Sequence, residues 1–282
     1  RINRLELIVT EARGVHTRMR QGWLLKKGPK GGGSGAPRWV VLSDDKAVAY
    51  YRDDKSKKAL GTIALGDVSR AFDVERDEYT LFVHTDARVY EFVATSVVVA
   101  CEWWHALLAA GGRAVGADQH QSLSPLSADH ANAKVITDFY TAFSAKDWAT
   151  MAATYDDGAT FSDPVFPSLD ARHVRAMWRM FCERGKDFSV QFKGIMANEL
   201  YAIGHWEADY RFSKTGNMVH NVIDATFILN DDGKIIRHVD AFSFHKWSAQ
   251  ALGGVGRAIG WTSALNKKVT AGGLTTFNFF FL

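Results

Sequence analysis

Between Gly111 and Asp129 the chain is dominated by Gly, Ala, Ser and Gln, with one Pro, and only Arg113, Asp118 and Asp129 carry charge. Such a stretch buries too little apolar surface to hold a core. The hydrophobic pattern differs on its two sides. Ahead of it, apolar residues recur with a period of two; after it, Val135, Phe139, Ala142 and Phe143 recur with the period of a helix. A chain built this way cannot share one core, so we expect two domains, residues 18–110 and 131–271, joined by a flexible linker over 111–130.

In the first domain the β-branched and aromatic runs predict strands at Gly22 to Lys27, Arg38 to Leu42, Ala47 to Arg52, Gly61 to Leu65, Ser69 to Val74, Thr80 to His84 and Val89 to Ala94. An apolar helix from about Val97 to Ala110 follows. The expected class is an all-β barrel or meander closed by a C-terminal helix. The second domain opens with two helices, the second carrying Trp148, Met151, Ala152 and Tyr155 on one face. A third helix runs from about Ala171 to Arg184, with Asp170 as N-cap and Gly185 as stop. Strands at Phe188 to Met196, Tyr201 to Phe212, Val219 to Leu229 and Ile235 to Phe244, joined by turns at Lys214 to Asn217 and Asn230 to Gly233, predict a curved antiparallel sheet and an α+β cone.

Composition excludes several classes of function. With 282 residues, 47% of them hydrophobic, the chain has enough apolar material for real cores. Lys and Arg number 34 against 31 Asp and Glu, and the resulting +3 is too small an excess for a nucleic-acid partner. Cys101 and Cys182 form neither a disulfide framework nor a Cys-x-x-Cys pair, which makes a reducing cytoplasmic compartment the expectation. The histidines show no His-x-x-x-His pair, so no metal site is expected. Lys26 to Ser34 is glycine-rich but lacks the Gly-Lys-Ser/Thr ending of a nucleotide loop. The first residue is Arg1 and no apolar leader or spanning run follows, so the chain reads as a piece of a soluble protein. The apolar Phe277 to Leu282 has no period.

Charge is polarised within the first domain. Residues 18–58 carry 11 Lys and Arg and 4 Asp and Glu, net +7, whereas residues 59–110 carry 3 and 8, net −5. Such a dipole steers toward an anionic surface. Gly22-Trp23-Leu24-Leu25-Lys26-Lys27, Arg38-Trp39-Val40-Val41-Leu42, Tyr50-Tyr51 and the final-helix Trp103 together resemble a pleckstrin-homology domain over about residues 18–110. The resemblance implies a lipid-binding site in which Lys26 and Arg38 hold phosphates and Tyr51 adds a hydroxyl, with Lys27 and Lys30 adding charge. Ala36 and Leu60 stand where further cations are expected, which implies weak binding to anionic phospholipid rather than tight phosphoinositide selection. The alternative for Lys26, Lys27 and Lys30 is that they are solvated loop charges.

In the second domain Phe143-Ser144-Ala145-Lys146-Asp147, Asp156 to Pro164 and Asp232 to Asp240 resemble the SnoaL-like branch of the nuclear transport factor 2 and ketosteroid isomerase superfamily. The resemblance implies a carboxylate in a mostly apolar cavity, where desolvation raises its pKa into the range useful for proton transfer at carbon. Asp163 matches the general-base motif, Asp224 resembles the oxyanion-side Asp, and Asp240 resembles the acid/base Asp of SnoaL-like cyclases, with His238 two residues away on the same strand face. The tyrosine of the isomerase scheme has no counterpart, because its position is Phe139 and Tyr140 is turned about 100° around the helix. Structural roles remain open for each: Asp163 as a turn cap before Pro164, Asp224 in an ion pair, His238 within the sheet.

The expected protein is a cytoplasmic, peripheral membrane protein. Its first domain meets an anionic phospholipid surface and its second binds a hydrophobic, carbonyl-bearing small molecule, sterol or lipid. If catalytic, the second domain is a cofactor-free isomerase, cyclase or dehydratase; if not, it is a binding or scaffold domain that forms a homodimer.

Overall fold

The computed structural model describes residues 18–28, 35–73, 76, 78–116, 124–184 and 187–259. Lys30, Gly185, Phe277 to Leu282 and residues 260–271 of the expected second domain lie outside the described residues. The described residues fall into two compact units, on either side of residues 117–123.

The first unit contains β1 (Arg18–Lys26), β2 (Ala36–Ser43), β3 (Ala47–Tyr51), β4 (Gly61–Ala64), β5 (Asp67–Asp73), β6 (Glu78–His84), β7 (Val89–Ala94), α1 (Val97–Ala109) and β8 (Arg113–Ala114). The strand order is β4-β3-β2-β1-β7-β6-β5-β8. Alternation sends Leu24, Val40, Leu42, Val48, Leu81 and Val83 into the core. Ser96 caps α1 by accepting from the Val99 amide, and the helix buries Trp103 and Leu107. Part of the segment expected to be a linker is hydrogen-bonded into this unit: β8 pairs in parallel with β5, and the Val115 amide donates to the Val68 carbonyl.

The second unit contains α2 (Ala131–Ser144), α3 (Trp148–Ala153), β9 (Tyr155–Ser162), β10 (Leu169–Asp170), α4 (Ala171–Arg184), β11 (Ser189–Ala197), β12 (Tyr201–Arg211), β13 (Met218–Leu229), β14 (Ile235–Ala241), α5 (Phe244–Ala251) and α6 (Gly254–Ile259). Residues 124–130 of the expected linker join it, since Ser127 and Ala197 exchange backbone hydrogen bonds. The Asp170 carboxylate accepts from the His173 amide at the start of α4. Gly216 and Gly233, with φ of 76° and 70°, supply the left-handed positions of the two hairpin turns.

The sheet order is β10-β9-β14-β13-β12-β11. It is mixed, not purely antiparallel as expected, because β9 pairs in parallel with β14. Tyr155, expected on a helix, begins that strand. Asp156, Asp157 and Gly158 interrupt the alternation, and the register shifts between the Tyr155 and Thr160 pairings, so the strand has no uniform period to read. Helix α2 packs on β11 and β12 and α4 on β9, over a core that includes Ile136, Phe139, Phe143, Met151, Trp178 and Phe227.

Candidate functional site

The first unit has a pocket of about 370 Å³ lined by Lys26, Lys27, Arg38, Tyr50 and Leu60, with backbone from Gly28, Gly35 and Ala36. The Lys26 ammonium lies 4.7 Å from the centre of the Tyr50 ring and 5.5 Å from that of Tyr90, and the Arg88 guanidinium stands 4.0 Å from the Tyr90 ring. Burial holds the Lys26 pKa below its ordinary value, and the charges of Arg88 and Arg38 lower it further. Lys26 and Arg88 on the aromatic faces, with Arg38 lining the same pocket as Lys26, form a concentration of positive charge that an anion relieves. Lys27 is partly engaged with Glu91, 3.6 Å away.

The second unit encloses a cavity of about 300 Å³, mostly apolar, into which Asp163 and Asp240 both project. Asp163 follows β9 and caps the Pro164 turn: its Oδ1 accepts the amides of Val165 and Phe166, which leaves Oδ2 for a ligand. Desolvation pushes the Asp163 pKa up to about 7 against the pull of those two amides, and the charge of Asp240 adds to the rise. Asp240 comes from β14, where alternation turns it and His238 inward. Its Oδ1 lies 3.0 Å from His238 Nε2 and accepts from Trp206 Nε1 at 3.2 Å.

Behind Asp240 the polar chain continues inward. His238 Nδ1 is 2.7 Å from the Tyr155 hydroxyl, which accepts from Trp178 Nε1 at 2.9 Å. Trp178, Tyr155, His238 and Asp240 thus form one continuous run of buried polar contacts. A second phenol, Tyr210 from β12, lines the cavity. Its oxygen accepts from Trp247 Nε1 at 2.7 Å, so its own proton is left to donate. Burial pushes the Tyr210 pKa up to about 12, which keeps that proton in place.

A family model described as "PH domain" matches residues 18–111, and one described as "SnoaL-like domain" matches residues 136–238. The chain carries a PH domain followed by a SnoaL-like domain. The Pleckstrin homology domain protein opy1 of Schizosaccharomyces pombe is 29% identical over 121 residues, which are 43% of this chain and 34% of that protein. The chain thus spans about a third of the length of the curated relative it matches. Among solved structures, an LEH-like epoxide hydrolase of M. tuberculosis is 17% identical with a TM-score of 0.38, covering 46% of this chain and 96% of its own. IdmH, a putative polyketide cyclase from Streptomyces antibioticus, is also 17% identical, with a TM-score of 0.37 and coverage of 43% and 98%.

The residues singled out in the sequence divide accordingly. In the PH domain Lys26, Lys27 and Arg38 line the pocket, but Tyr51 does not; its neighbour Tyr50 does, because successive residues of β3 point to opposite faces. In the SnoaL-like domain Asp163, Asp240 and His238 come together. Asp224 does not join them. It projects from the opposite face of β13, where His205 Nδ1 lies 2.8 Å from it. Val219, Ile223, Ala225 and Phe227 are buried positions on the inner face of that strand, and Asp224 falls between Ile223 and Ala225. Sequence reasoning missed Arg88, which belongs to no local motif, and Tyr155, which it placed on a helix face rather than at the start of a strand. Tyr210 was also missed, although alternation along β12 with Trp206 and Ala208 places it on the inner face.

Proposed function

We propose that the PH domain attaches this protein peripherally to anionic membrane through Lys26, Arg38 and Arg88, and that the SnoaL-like domain moves a proton next to a carbonyl of a hydrophobic small molecule without a cofactor. Two carboxylates in one apolar cavity, one of them with a pKa near 7, carry the second half of this reading. At neutral pH a large fraction of Asp163 is ionised and basic enough to take a proton from the carbon beside the carbonyl. The electron pair of that C–H bond moves into the enolate, whose oxygen accepts a hydrogen bond from Tyr210. Asp163, now protonated, returns the proton to the same or a conjugated carbon. Desolvation raises the Asp163 pKa, and Asp240, held by Trp206 and His238, adds to that rise. In the cyclase-type variant of this chemistry the two exchange roles and Asp240 is the base.

The membrane half is supported by the crowding of three cations at one pocket. No helix among the described residues is long and apolar enough to cross a membrane.

The deciding measurement is deuterium exchange at the α-carbon of a steroid-like ketone, followed by NMR with the full chain. Asp163→Asn is expected to abolish enzyme-dependent exchange while leaving ketone binding nearly intact, because the amide keeps the shape and loses the basicity. If Asp240→Asn abolishes exchange and Asp163→Asn does not, the cyclase-type assignment replaces this one. If neither substitution matters in a folded protein that binds the ketone, the domain is a binding scaffold.

A further inference from the structure

Trp247 is brought to the SnoaL-like cavity by α5, the helix that follows the last strand of the sheet. Three sets of hydrogen bonds hold that helix in place. Ser243 caps its first turn, accepting from the Lys246 amide. At the other end the Thr215 hydroxyl donates to the Ala251 carbonyl at 2.6 Å, and Asn217 Nδ2 donates to the carbonyls of Gln250 and Ala251, so the β12–β13 turn satisfies acceptors that a helix terminus leaves open. The Gln250 side chain grips β13 itself: its Oε1 accepts from the His220 amide at 2.9 Å and its Nε2 donates to the His220 carbonyl at 3.0 Å. His220 adjoins Val219, the residue that pairs with Tyr210 across the sheet. The helix is thus tied to the part of the sheet that carries Tyr210.

Seated there, the Trp247 indole packs against Phe212 and Phe244, 5.6 Å from the centre of each ring, and donates from Nε1 to the Tyr210 oxygen at 2.7 Å. Indole Nε1 is a donor only, so the direction of this bond is fixed. A phenol proton lies in the plane of its ring, on one side of the oxygen or the other. A donor already engaged on that oxygen turns the proton away from itself. Asp163 is near enough for its charge to act on the Tyr210 phenol.

We propose that Trp247 is a positioning residue of this site: it acts through Tyr210, holding the phenol proton away from α5 and free to meet the ligand oxygen, so that the docked helix completes the donor. The inference rests on Tyr210 being the donor to the enolate in the proposed function, and it adds the residue that sets that donor. A hydroxyl that accepts one hydrogen bond also donates a stronger one. The gain is largest when charge develops on the ligand oxygen, so the loss of the indole N–H falls on rate and not on affinity.

The test is a double-mutant cycle on the full chain, with α-deuterium exchange of decalone, a bicyclic ketone, as the assay and Trp247→Phe, Tyr210→Phe and the double variant as its corners. Trp247→Phe keeps an aromatic ring and removes the N–H. It is expected to lower the exchange rate at saturating ketone about tenfold, with the half-saturating concentration nearly unchanged. In the Tyr210→Phe background the same substitution should change nothing, because the oxygen it acts through is gone, whereas a merely structural role would slow both backgrounds alike. A second measurement depends neither on turnover nor on the folding of Trp247→Phe: the indole N–H NMR signal of Trp247 should move upfield in Tyr210→Phe, which removes its acceptor. Equal slowing in both backgrounds, no slowing in the Tyr210 background, or an indole signal that ignores Tyr210→Phe overturns the inference while leaving the proposed reaction in place. If Tyr210→Phe does not itself slow exchange, the donor assigned in the proposed function is wrong and this inference fails with it.

Discussion

Tyr155 places its hydroxyl 2.7 Å from Nδ1 of His238, reaching it from a strand that runs parallel to the histidine's own. The parallel pairing of β9 with β14 is what allows this contact, which links Trp178 and Tyr155 to the His238–Asp240 pair. Tyr155→Phe keeps the ring and removes the oxygen, leaving Trp178 Nε1 and His238 Nδ1 buried without partners. Each orphaned group costs about 1–3 kcal/mol, so the variant is expected to lose about 2–4 kcal/mol in urea unfolding of the SnoaL-like domain. A loss below about 0.5 kcal/mol would show that the chain from Trp178 to Asp240 is not a connected network.

Asp163 gives stability a pH dependence of opposite sign to that of an ordinary paired carboxylate. Its pKa rises from the usual 3.8 to about 7 on folding. Between those values the unfolded chain releases the proton while the folded one keeps it, so the native state is favoured at acid pH and loses that advantage as pH climbs toward 7. The full effect is up to about 4 kcal/mol. Asp163→Asn cannot ionise and its Oδ1 still accepts the amides of Val165 and Phe166. The stability of Asp163→Asn relative to the parent should therefore grow from pH 4 to pH 7 and level off above it, as measured by urea unfolding across that range. A difference independent of pH would place the Asp163 carboxyl in water.

Much of the fold was legible because it follows from local pattern. The alternation along β1 to β7 and the helical face of α2 give these elements in order, although β1 begins at Arg18 rather than Gly22, since one buried face per element leaves a readable period. β9 was not legible, because Asp156-Asp157-Gly158 interrupts its period and its parallel partner lies far along the chain. At the site, Asp163, Asp240 and His238 were legible from motif and strand parity. The same parity places Asp224 outside, since the buried neighbours Ile223 and Ala225 flank it; the family resemblance pointed the other way, and the strand geometry decided. Arg88 depends on contacts between elements distant in sequence, which no local pattern encodes, whereas strand parity with Trp206 and Ala208 already places Tyr210 on the inner face.

For the PH domain, Arg38→Ala and Arg88→Ala are each expected to weaken binding to vesicles of mixed phosphatidylcholine and phosphatidylserine by about 1 kcal/mol, or about fivefold, with the affinity of the parent falling as salt is raised. Vesicle co-sedimentation reads both. Arg88 is the sharper arm, because only the folded pocket brings it to Lys26. Binding that ignores Arg88→Ala would restrict the site to the cations of β1 and β2.

Asp224→Asn separates the outer face of the sheet from the cavity. The hydrogen bond to Asp224 is the largest influence raising the His205 pKa, so the stability this pair contributes is present at acid pH and is lost as pH rises through the His205 titration. The variant should shift the His205 midpoint downward in an NMR titration and leave ketone exchange unchanged. A drop in exchange comparable to that of Asp240→Asn would return Asp224 to the site.

Tyr140 and Tyr210 make the last and most direct comparison. Tyr140 has a fully buried hydroxyl with no hydrogen-bond partner and does not line the cavity. Its ring stacks on Phe192, 5.4 Å between centres. Tyr210 lines the cavity, accepts from Trp247 and has its proton free for a ligand oxygen. If Tyr210 is the donor to the enolate, Tyr210→Phe should slow exchange about a hundredfold or more while ketone affinity changes little, because the bond strengthens only as charge develops on the oxygen. Tyr140→Phe removes an unsatisfied polar atom from a packed interior, so it should leave the rate unchanged and hold or raise stability. The opposite pattern, with exchange lost in Tyr140→Phe and kept in Tyr210→Phe, would move the oxyanion position to the α2 side of the domain and require the ligand to enter deeper than the cavity now reaches.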